Sequence, residues 1–418
     1  MKKLLLFVAI IIVACSNEKY IDDIRTQVPV KQVSNLRSYE EALQVAESSI
    51  SMLDNSESTR SSSSRKIDAN NSKVYLNKSV TRSSSNTSDT LMYVFNFEDN
   101  EGFAIVAAPK DIKPLIAITE KGHYDPDEPS GIEGFDDYMN LAEKYIMGNR
   151  GGGAGDPLIG PIYLSESVTD ITTVGPYVTV RWGQRCPEGD FCSNGYSGCT
   201  NTAMAQIMSY YEHPSSIALT YNGHDINTQT LNWTSIKSHT PEENPLFYIM
   251  CPDTTTHYAI SRLLRQLGQM SNSSYGPNGT GTQILFAKSA LNNLGYTVGT
   301  WLFYNTATVQ SVINNGHLFL IYASTSGNDA HCWVLDGYKI VVITTTFYIN
   351  TGLGDPIIDR IETQTYNYNH FNWGWYGENN GYFLENVFDT SSVTYPDTNN
   401  NSYNYNFNVN VELREVYL

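Results

Sequence analysis

The sequence predicts an α+β protein built from two parts, and three observations support this prediction. The chain has 418 residues, more than one ordinary domain, and its 41% hydrophobic and 17% charged residues give a globular composition. Helices and strands are intermixed in the first third, whereas the remainder places helices first and strands afterwards, an order typical of α+β folds. A glycine-rich run at residues 151–155 predicts a flexible boundary between the two parts.

Residues 1–14 are typical of an export signal. Two lysines precede an apolar run over residues 4–13, which is too short to span a bilayer, since a spanning helix takes about 20 residues. The run ends in Ala14-Cys15, which resembles a bacterial lipobox and predicts lipidation of Cys15; a plain signal peptide with an incidental cysteine is the alternative. We expect an exported lipoprotein at the outer membrane or cell surface, tethered through residues 15–37. Its lipid would be its sole membrane contact, and later cleavage would release the rest.

Residues 38–150 predict a small α+β domain. Ser38 and Glu41 have the spacing of a capping box, and apolar residues follow at helical intervals as far as Leu53. The later segments of this part predict a hairpin, a further strand and a second helix, at residues 91–97 with 103–108, 115–118 and 135–145.

Residues 175–418 predict a second domain in which helices precede an antiparallel sheet. Helices are expected at residues 199–211, 258–270, 283–294 and 308–314. Strands are expected at residues 318–323, 332–342, 344–349, 361–373, 381–384 and 408–413. Residues 151–174, between the two domains, are expected to form an exposed linker where the chain is cleaved.

Charge and cysteine usage exclude some classes of function. The net charge of −17 would repel a phosphate backbone, so we expect no nucleic-acid partner. The six cysteines include no C-x-x-C pair, so we expect no metal site. Cys186 and Cys192 are near each other in sequence, and whether they form a disulfide is left open.

Cys199 has the sequence position of a reactive thiol. Gly198 ends an irregular stretch, and a helix is predicted to begin at Cys199, where the partial positive charge of the N-terminus favours the nucleophilic thiolate. A buried structural cysteine at a helix start would give the same pattern. His331 lies at the predicted start of a strand, where its imidazole would face a cleft or simply occupy a sheet edge.

Two further segments carry side chains suited to support a thiol and an imidazole. Gln184 precedes Cys199, and its side-chain amide could stabilise an oxyanion together with the Cys199 backbone N–H. In Asn372-Trp373-Gly374-Trp375, the asparagine could orient an imidazole and the adjacent ring could shield that bond from water. An aromatic core corner is the alternative reading of this run.

The order of these residues resembles that of the papain clan, and the detail resembles the streptopain family of bacterial cysteine peptidases. The matching runs, within about residues 175–385, are Trp182-x-Gln184, Gly198-Cys199-x-x-Thr202-Ala203-x-Ala205-Gln206-Ile207-Met208, Tyr275-Gly276-Pro277, His331-x-Trp333-Val334-x-Asp336-Gly337 and Asn372-Trp373-Gly374-Trp375. The hairpin at residues 93–108 is similar to the propeptide of the same family.

The resemblance implies a fold and a role for each site residue. It implies a papain-like catalytic domain, with a helical part packed on an antiparallel sheet, preceded by a small α+β prodomain that covers the active site. Cys199 would be the nucleophile, His331 the general base and acid, and Gln184 the oxyanion donor. Asn372 and Trp373 would orient and shield the imidazole. Backbone contacts with bound peptide are implied for Thr280, Gly281 and Ala330, and no cofactor is implied.

The function predicted from these features is that of a cysteine endopeptidase made as a zymogen. Its partners would be protein or peptide substrates and its own prodomain, acting as an intramolecular inhibitor. A catalytically silent surface binding lipoprotein on the same scaffold is one alternative, and transamidation or hydrolysis of non-peptide amides is another. Cys332 departs from the family pattern, and a disulfide from Cys332 or Cys192 to Cys199 would switch the enzyme off.

Overall fold

The computed structural model describes residues 35–54, 65–76, 90–149, 162–221, 224–238, 254–302, 304–324, 330–349, 355–388, 395–396, 402–403 and 410–418. The predicted signal, Cys15, most of the tether and residues 151–161 of the predicted linker lie outside the described residues. Within those ranges, no helix combines the length and the apolar character that crossing a bilayer requires.

The N-terminal unit combines an antiparallel sheet with helices. Its elements are α1 (Tyr39–Ser49), α2 (Ser51–Asp54), β1 (Lys73–Leu76), β2 (Thr90–Asn96), β3 (Phe103–Ala107), β4 (Leu115–Thr119) and α3 (Glu133–Asn149). The predicted capping box is confirmed, since Ser38 Oγ accepts the Glu41 N–H at 3.1 Å and the Glu41 carboxylate accepts the Ser38 N–H at 2.7 Å. The predicted hairpin is confirmed as the antiparallel pair of β2 and β3.

The second unit places most of its helices before its long strands. The first elements are β5 (Ile162–Val174), α4 (Cys199–Tyr211), β6 (Ser216–Tyr221), β7 (His224–Thr230), α5 (Trp233–Lys237), α6 (Thr254–Met270), β8 (Ser274–Gly276), β9 (Gly279–Gly281), α7 (Ile284–Asn293), β10 (Thr297–Val298) and α8 (Thr306–Asn314). The remaining strands are β11 (Leu318–Ser324), β12 (Ala330–Ile349), β13 (Ile357–Asn372), β14 (Gly381–Leu384), β15 (Tyr395–Pro396), β16 (Ser402–Tyr403) and β17 (Asn410–Tyr417).

One antiparallel sheet runs through both units. Its strand order is β1-β2-β3-β4-β14-β13-β12-β11-β17-β10, and β5 also pairs with β12. At the junction between the units, Gly381 of β14 lies opposite Thr119 of β4, and Phe383 lies opposite Ala117. A Cβ atom at Gly381 would lie 2.3 Å from the Ile118 carbonyl oxygen, so the close approach of the two strands requires glycine there. Main-chain pairing therefore joins the units directly.

Alternate residues of β12 face two different cores. Trp333 and Leu335 pack in the core shared with the N-terminal unit, whereas Cys332 and Val334 pack in the core that includes α4, α6 and α7. Because strand side chains alternate, His331 belongs to the same face as Trp333. The strand thus presents His331 towards the N-terminal unit.

The predicted α+β class is confirmed, although several strand predictions need correction. The structure adds β1, β5 and the hairpins β6–β7 and β8–β9, which the sequence analysis did not assign. The strands expected at 332–342 and 344–349 form one continuous β12. Residues 162–174, expected as linker, form β5 and pair with residues 338–349 of β12. This segment has no long apolar run, and its extended state depends on a partner far away in sequence. The domain boundaries themselves stay a prediction.

Candidate active site

Cys199 is the first residue of a buried helix. Gly198, the residue before α4, has φ 89° and no side chain to cap the helix. A Cβ atom there would lie 2.8 Å from the Thr280 carbonyl oxygen, so glycine serves both the backbone conformation and the contact with β9. The free N–H groups and partial positive charge of the helix start surround the Cys199 sulfur with an environment that favours the thiolate.

The structure brings Cys199 and His331 together. The two side chains are near enough for each to shift the pKa of the other. They come from distant elements, since Cys199 begins α4 and His331 is the second residue of β12. Burial by itself disfavours the charged form of both groups. The pKa of the Cys199 thiol is nevertheless lowered, because His331, the Cys332 N–H and the Thr200 hydroxyl stabilise the thiolate. The pKa of His331 is raised by Cys199 and then by Glu133.

The His331 ring is buried but weakly held. Its exposed fraction is 1%, and neither ring nitrogen makes a hydrogen bond of ordinary geometry within the described part of the chain. The ring lies nearly parallel to Trp333, with 6.1 Å between the ring centroids. Stacking and charge therefore hold the imidazole here, more than directional hydrogen bonds do.

Gln184 lies on a peptide segment that is fixed along its length. The Gln184 carbonyl accepts the N–H of Ser197 at 2.8 Å, which ties the segment to the residues just before Cys199. The Gly183 carbonyl accepts Thr202 Oγ1 at 3.1 Å, and the Trp182 carbonyl accepts Gln206 Nε2 at 3.3 Å. Gln184 is buried, with an exposed fraction of 7%. The backbone that carries Gln184 is thus fixed, and the role of its side chain as an oxyanion donor stays a prediction.

The hydrogen bonds of the Asn372 side chain go to groups other than His331 among the described residues, and its expected role in orienting the imidazole stays a prediction. Its Oδ1 accepts Gln206 Nε2 at 2.9 Å and the Gly374 N–H at 3.2 Å, and its Nδ2 donates to the Val180 carbonyl at 3.1 Å. Gln206 in turn donates to the carbonyl of Trp182. The amide of Asn372 is therefore engaged in the network that supports the Gln184 segment.

Trp373 lies at the centre of an aromatic cluster beside the imidazole. Its ring centroid is 5.1 Å from that of Trp333 and 5.2 Å from that of Phe371. Its Nε1 donates to the Asn379 carbonyl at 2.9 Å, which satisfies the indole N–H and fixes the ring. The ring is thus held next to His331, and the shielding role expected for Trp373 stays a prediction.

The start of α3, in the N-terminal unit, lies directly on His331 and Trp373. A Cβ atom at Gly134 would lie 2.5 Å from His331 Cδ2 and 2.9 Å from Trp373 Cε3. Glycine therefore allows the helix backbone itself to cover both rings. The Glu133 carboxylate lies 3.5 Å from His331 Nδ1, and His331 lowers the pKa of Glu133.

A second buried histidine also faces a carboxylate of the N-terminal unit. His370 Nδ1 lies 2.5 Å from Asp336 Oδ1, and His370 Nε2 lies 3.5 Å from Glu120 Oε1. Burial opposes the imidazolium, yet Asp336 and Glu120 raise the pKa of His370 to about 10. Lys121 adds an ion pair with Glu378 at 2.7 Å. Acidic and basic groups of both units thus meet across the junction.

The three residues expected to lie along bound peptide lie on the strand next to Gly198 and at the start of β12. Thr280 and Gly281 belong to β9, next to Gly198, and Ala330 immediately precedes His331. A Cβ atom at Gly281 would meet nothing within 4 Å, so this part of β9 borders open space. The geometry is compatible with a peptide path, and the binding role stays a prediction.

Among the described residues, Cys192, Cys199 and Cys332 are free thiols. The disulfide left open between Cys186 and Cys192 is therefore not formed here, and neither is a disulfide to Cys199. Across the described residues, no group of histidine, cysteine and carboxylate side chains is arranged to hold a metal ion.

Sequence reasoning missed several residues that shape the site. Gln206 lay within a quoted motif, but nothing in the motif showed that its amide bridges Asn372 and Trp182. Glu133 and Gly134 carried no motif, and a glycine in the first turn of a helix was the one available signal. Glu188, whose carboxylate accepts the Gly183 N–H at 3.2 Å, lies in a short irregular loop that gave no signal.

Comparison with known families agrees with this geometry. Residues 179–383 match the Peptidase C10 family, and residues 29–146 match the Spi protease inhibitor family. The first match contains Gln184, Cys199, His331, Asn372 and Trp373, and the second contains the helix that covers His331.

Individual relatives are distant in sequence. The thiol protease/hemagglutinin PrtT of Porphyromonas gingivalis is 24% identical over 73% of this chain and 35% of its own, so the chain spans about a third of that protein. Streptopain of Streptococcus pyogenes serotype M1 is 23% identical over 72% of this chain and 75% of its own. A solved fragment of Prevotella intermedia prointerpain A matches with a TM-score of 0.48 and 18% identity, covering 83% of this chain and 98% of that one. With its C10 domain and preceding inhibitor domain, the chain belongs to the streptopain family of cysteine peptidases and carries the propeptide of that family.

Proposed function

We propose that this protein is an exported lipoprotein zymogen whose peptidase domain hydrolyses peptide bonds as an endopeptidase. The observation that carries the proposal is the arrangement of residues around the sulfur atom of Cys199. Cys199 lies at a helix start beside His331. The segment that carries Gln184 is hydrogen-bonded to Ser197, two residues before Cys199. This arrangement supports the roles proposed for Cys199 as nucleophile, His331 as base and Gln184 as oxyanion donor.

The mechanism follows from the charges of these groups. The mutual pKa shifts favour a Cys199 thiolate and a His331 imidazolium, so the nucleophile exists before substrate binds. The thiolate would attack the peptide carbonyl, with the oxyanion accepting hydrogen bonds from Gln184 and from the Cys199 N–H. His331 would then protonate the leaving amine and later, as a base, activate the water that hydrolyses the thioester.

Latency would come from the inhibitor domain. Helix α3 covers His331 and Trp373 without leaving room for a side chain at Gly134, so substrate cannot share this surface while α3 is docked. Cleavage within the predicted linker would allow the domain to leave. The lipid anchor at Cys15, and with it the location at the outer membrane or cell surface, is proposed from the sequence motif alone.

The test is incubation of the full ectodomain under reducing conditions at about pH 6–7, within the window expected for a thiolate–imidazolium pair. We expect self-cleavage between residues 147 and 175, identified by N-terminal sequencing of the fragments, and no cleavage in Cys199→Ala. Labelling of Cys199 by a thiol-directed peptide warhead should be lost in His331→Ala. Labelling without turnover of any protein substrate would favour the silent binding protein, and amide transfer to an added amine would favour transamidation.

A further inference from the structure

The carboxyl group of Glu188 is buried beside the oxyanion segment, although the mechanism above gives it no role. Its residue has no exposed surface, and its Oε1 accepts the Gly183 N–H at 3.2 Å. Its Oε2 is also buried and has no hydrogen-bond partner among the described residues. A buried carboxyl oxygen left without a partner is costly, so its retention at this place needs an explanation.

The hydrogen bond of Glu188 to the Gly183 N–H is one of several that hold the segment carrying Gln184. Two neutral side chains also bind this segment, Gln206 at the Trp182 carbonyl and Thr202 at the Gly183 carbonyl. On the opposite side, the Tyr376 ring packs so tightly that a Cβ atom at Gly183 would lie 2.2 Å from it. The Gly183 peptide is therefore clamped between a ring and a carboxyl group, directly before the oxyanion donor.

We propose that Glu188 is a positioning residue that orients the oxyanion donor Gln184 by holding the Gly183 amide. This role rests on the proposed function, since it presumes that Gln184 stabilises an oxyanion. It extends that function because Glu188 binds the Gly183 N–H and would act through that peptide.

The charge state of Glu188 gives this role a signature in the pH profile. Burial raises the pKa of Glu188 to about 8, and Asp190 on the same loop adds to the effect. Of the groups around the loop, Tyr376 has its hydroxyl engaged by the Arg185 N–H and the Cys186 carbonyl, and Arg262 on α6 lies over the Phe191 ring. The carboxyl group is thus neutral over most of the working range. As pH rises through this pKa, a buried negative charge appears near the developing oxyanion, and kcat should fall.

The experiment measures kcat and KM of the mature enzyme between about pH 5 and about pH 10, for wild type, Glu188→Gln and Glu188→Ala. The glutamine variant is isosteric and uncharged, and its amide oxygen can accept the same N–H. We expect it to keep neutral-pH kcat within about three-fold and to move the alkaline fall of kcat to higher pH. The alanine variant leaves the Gly183 N–H unbound, and we expect kcat to drop about ten-fold or more with KM little changed. Glu212→Gln, at an exposed carboxylate beyond the far end of α4, is the matched control and should match wild type.

Three results would overturn the role of Glu188. The first is a wild-type profile in both variants, and the second is an equal loss of kcat in both with no change in the pH profile, as a merely structural residue would give. If neither variant folds, ¹³C-glutamate NMR of the wild-type mature enzyme decides. One carboxyl group must titrate in step with the alkaline fall of kcat, and the absence of such a group is the third result. If wild type itself neither cleaves peptides nor reacts with a warhead, the proposed function fails, and the role of Glu188 fails with it.

Discussion

The two sides of the candidate active site are held in different ways. The nucleophile side, Cys199 with segment 182–184, is fixed by hydrogen bonds from within the peptidase domain. The histidine side, His331 with Trp373, is covered by the first residues of α3 from the inhibitor domain, and the imidazole has no hydrogen bond of ordinary geometry within the described chain. The nucleophile side is thus held by the peptidase domain itself, whereas under the proposed function latency would act on the histidine side.

This difference predicts that changes on the two sides have separable effects. A substitution on the nucleophile side should lower kcat of the mature enzyme and leave inhibitor docking intact. A substitution at the start of α3 should change how fast the zymogen matures and leave the mature enzyme untouched, since these residues precede the expected cleavage region.

The largest separation is expected for Gln184→Ala. Losing one oxyanion donor should lower kcat of the mature enzyme by about 10²–10³-fold, with KM little changed, because the donor acts on charge that develops during reaction. Steady-state kinetics on a peptide substrate measure this. Warhead labelling of Cys199 should persist, which shows that the nucleophile is intact. An unchanged kcat would mean that Gln184 does not bind the oxyanion.

Gly134→Leu should displace the start of α3 from His331 and Trp373. Because even a Cβ atom at this position would collide with His331 and Trp373, the start of α3 must move away from both rings. We expect the full zymogen to self-cleave about ten-fold faster or more, measured as the half-time of fragment appearance, and to yield a mature enzyme of normal kcat. Asn140→Ala, at an exposed position of the same helix, is the control. A half-time equal to wild type would show that α3 does not limit maturation.

Asn372→Ala tests whether Asn372 supports segment 182–184 or orients His331. Its amide bonds with Gln206 and Val180, so we expect loss of the support beneath segment 182–184 and a fall in kcat of about ten-fold. Gln206→Ala should give a similar fall, because it removes the other half of the same bridge. The pH dependence of Cys199 alkylation should stay that of wild type. A shift in that dependence would instead assign Asn372 to the orientation of His331.

The nucleophile side was largely predictable from sequence, and the reason is local. A glycine before a helix-starting cysteine and a nearby tryptophan–glutamine pair are short-range patterns, so Cys199 and Gln184 could be named. The partners of Asn372 could not, because its bond to Gln206 joins residues 166 positions apart, and an amide can serve an imidazole or another amide equally well. Likewise, β5 gave no pattern of its own, since its pairing with β12 is long-range.

The cover on the histidine side was the least predictable feature. Its geometry depends on Gly134 and Glu133. In the sequence, a glycine near a helix start indicates only lower helix propensity, and nothing distinguishes Glu133 from the other acidic residues. Only the fold shows that these two residues meet His331, because the contact joins parts of the chain on either side of the linker. The resemblance to a family implied that a prodomain covers the site, but it could not name the atoms.

The smallest effect is expected for Glu133→Gln. The pKa of Glu133 is lowered, so its contribution to docking is present above the ordinary carboxyl pKa and is lost as pH falls through the lowered value. The pKa of His331 is raised, so its share is present below the ordinary imidazole pKa and is lost as pH rises through the raised value.

The side chain of Glu133 is 75% exposed, so screening by water limits the gain in maturation rate to about three-fold at about pH 7. The rate difference between variant and wild type should vanish at acidic pH, where wild-type Glu133 is itself protonated. Glu40→Gln, at an exposed carboxylate of α1, is the control for lost charge alone, and an equal gain in that variant would remove Glu133 from the account of latency.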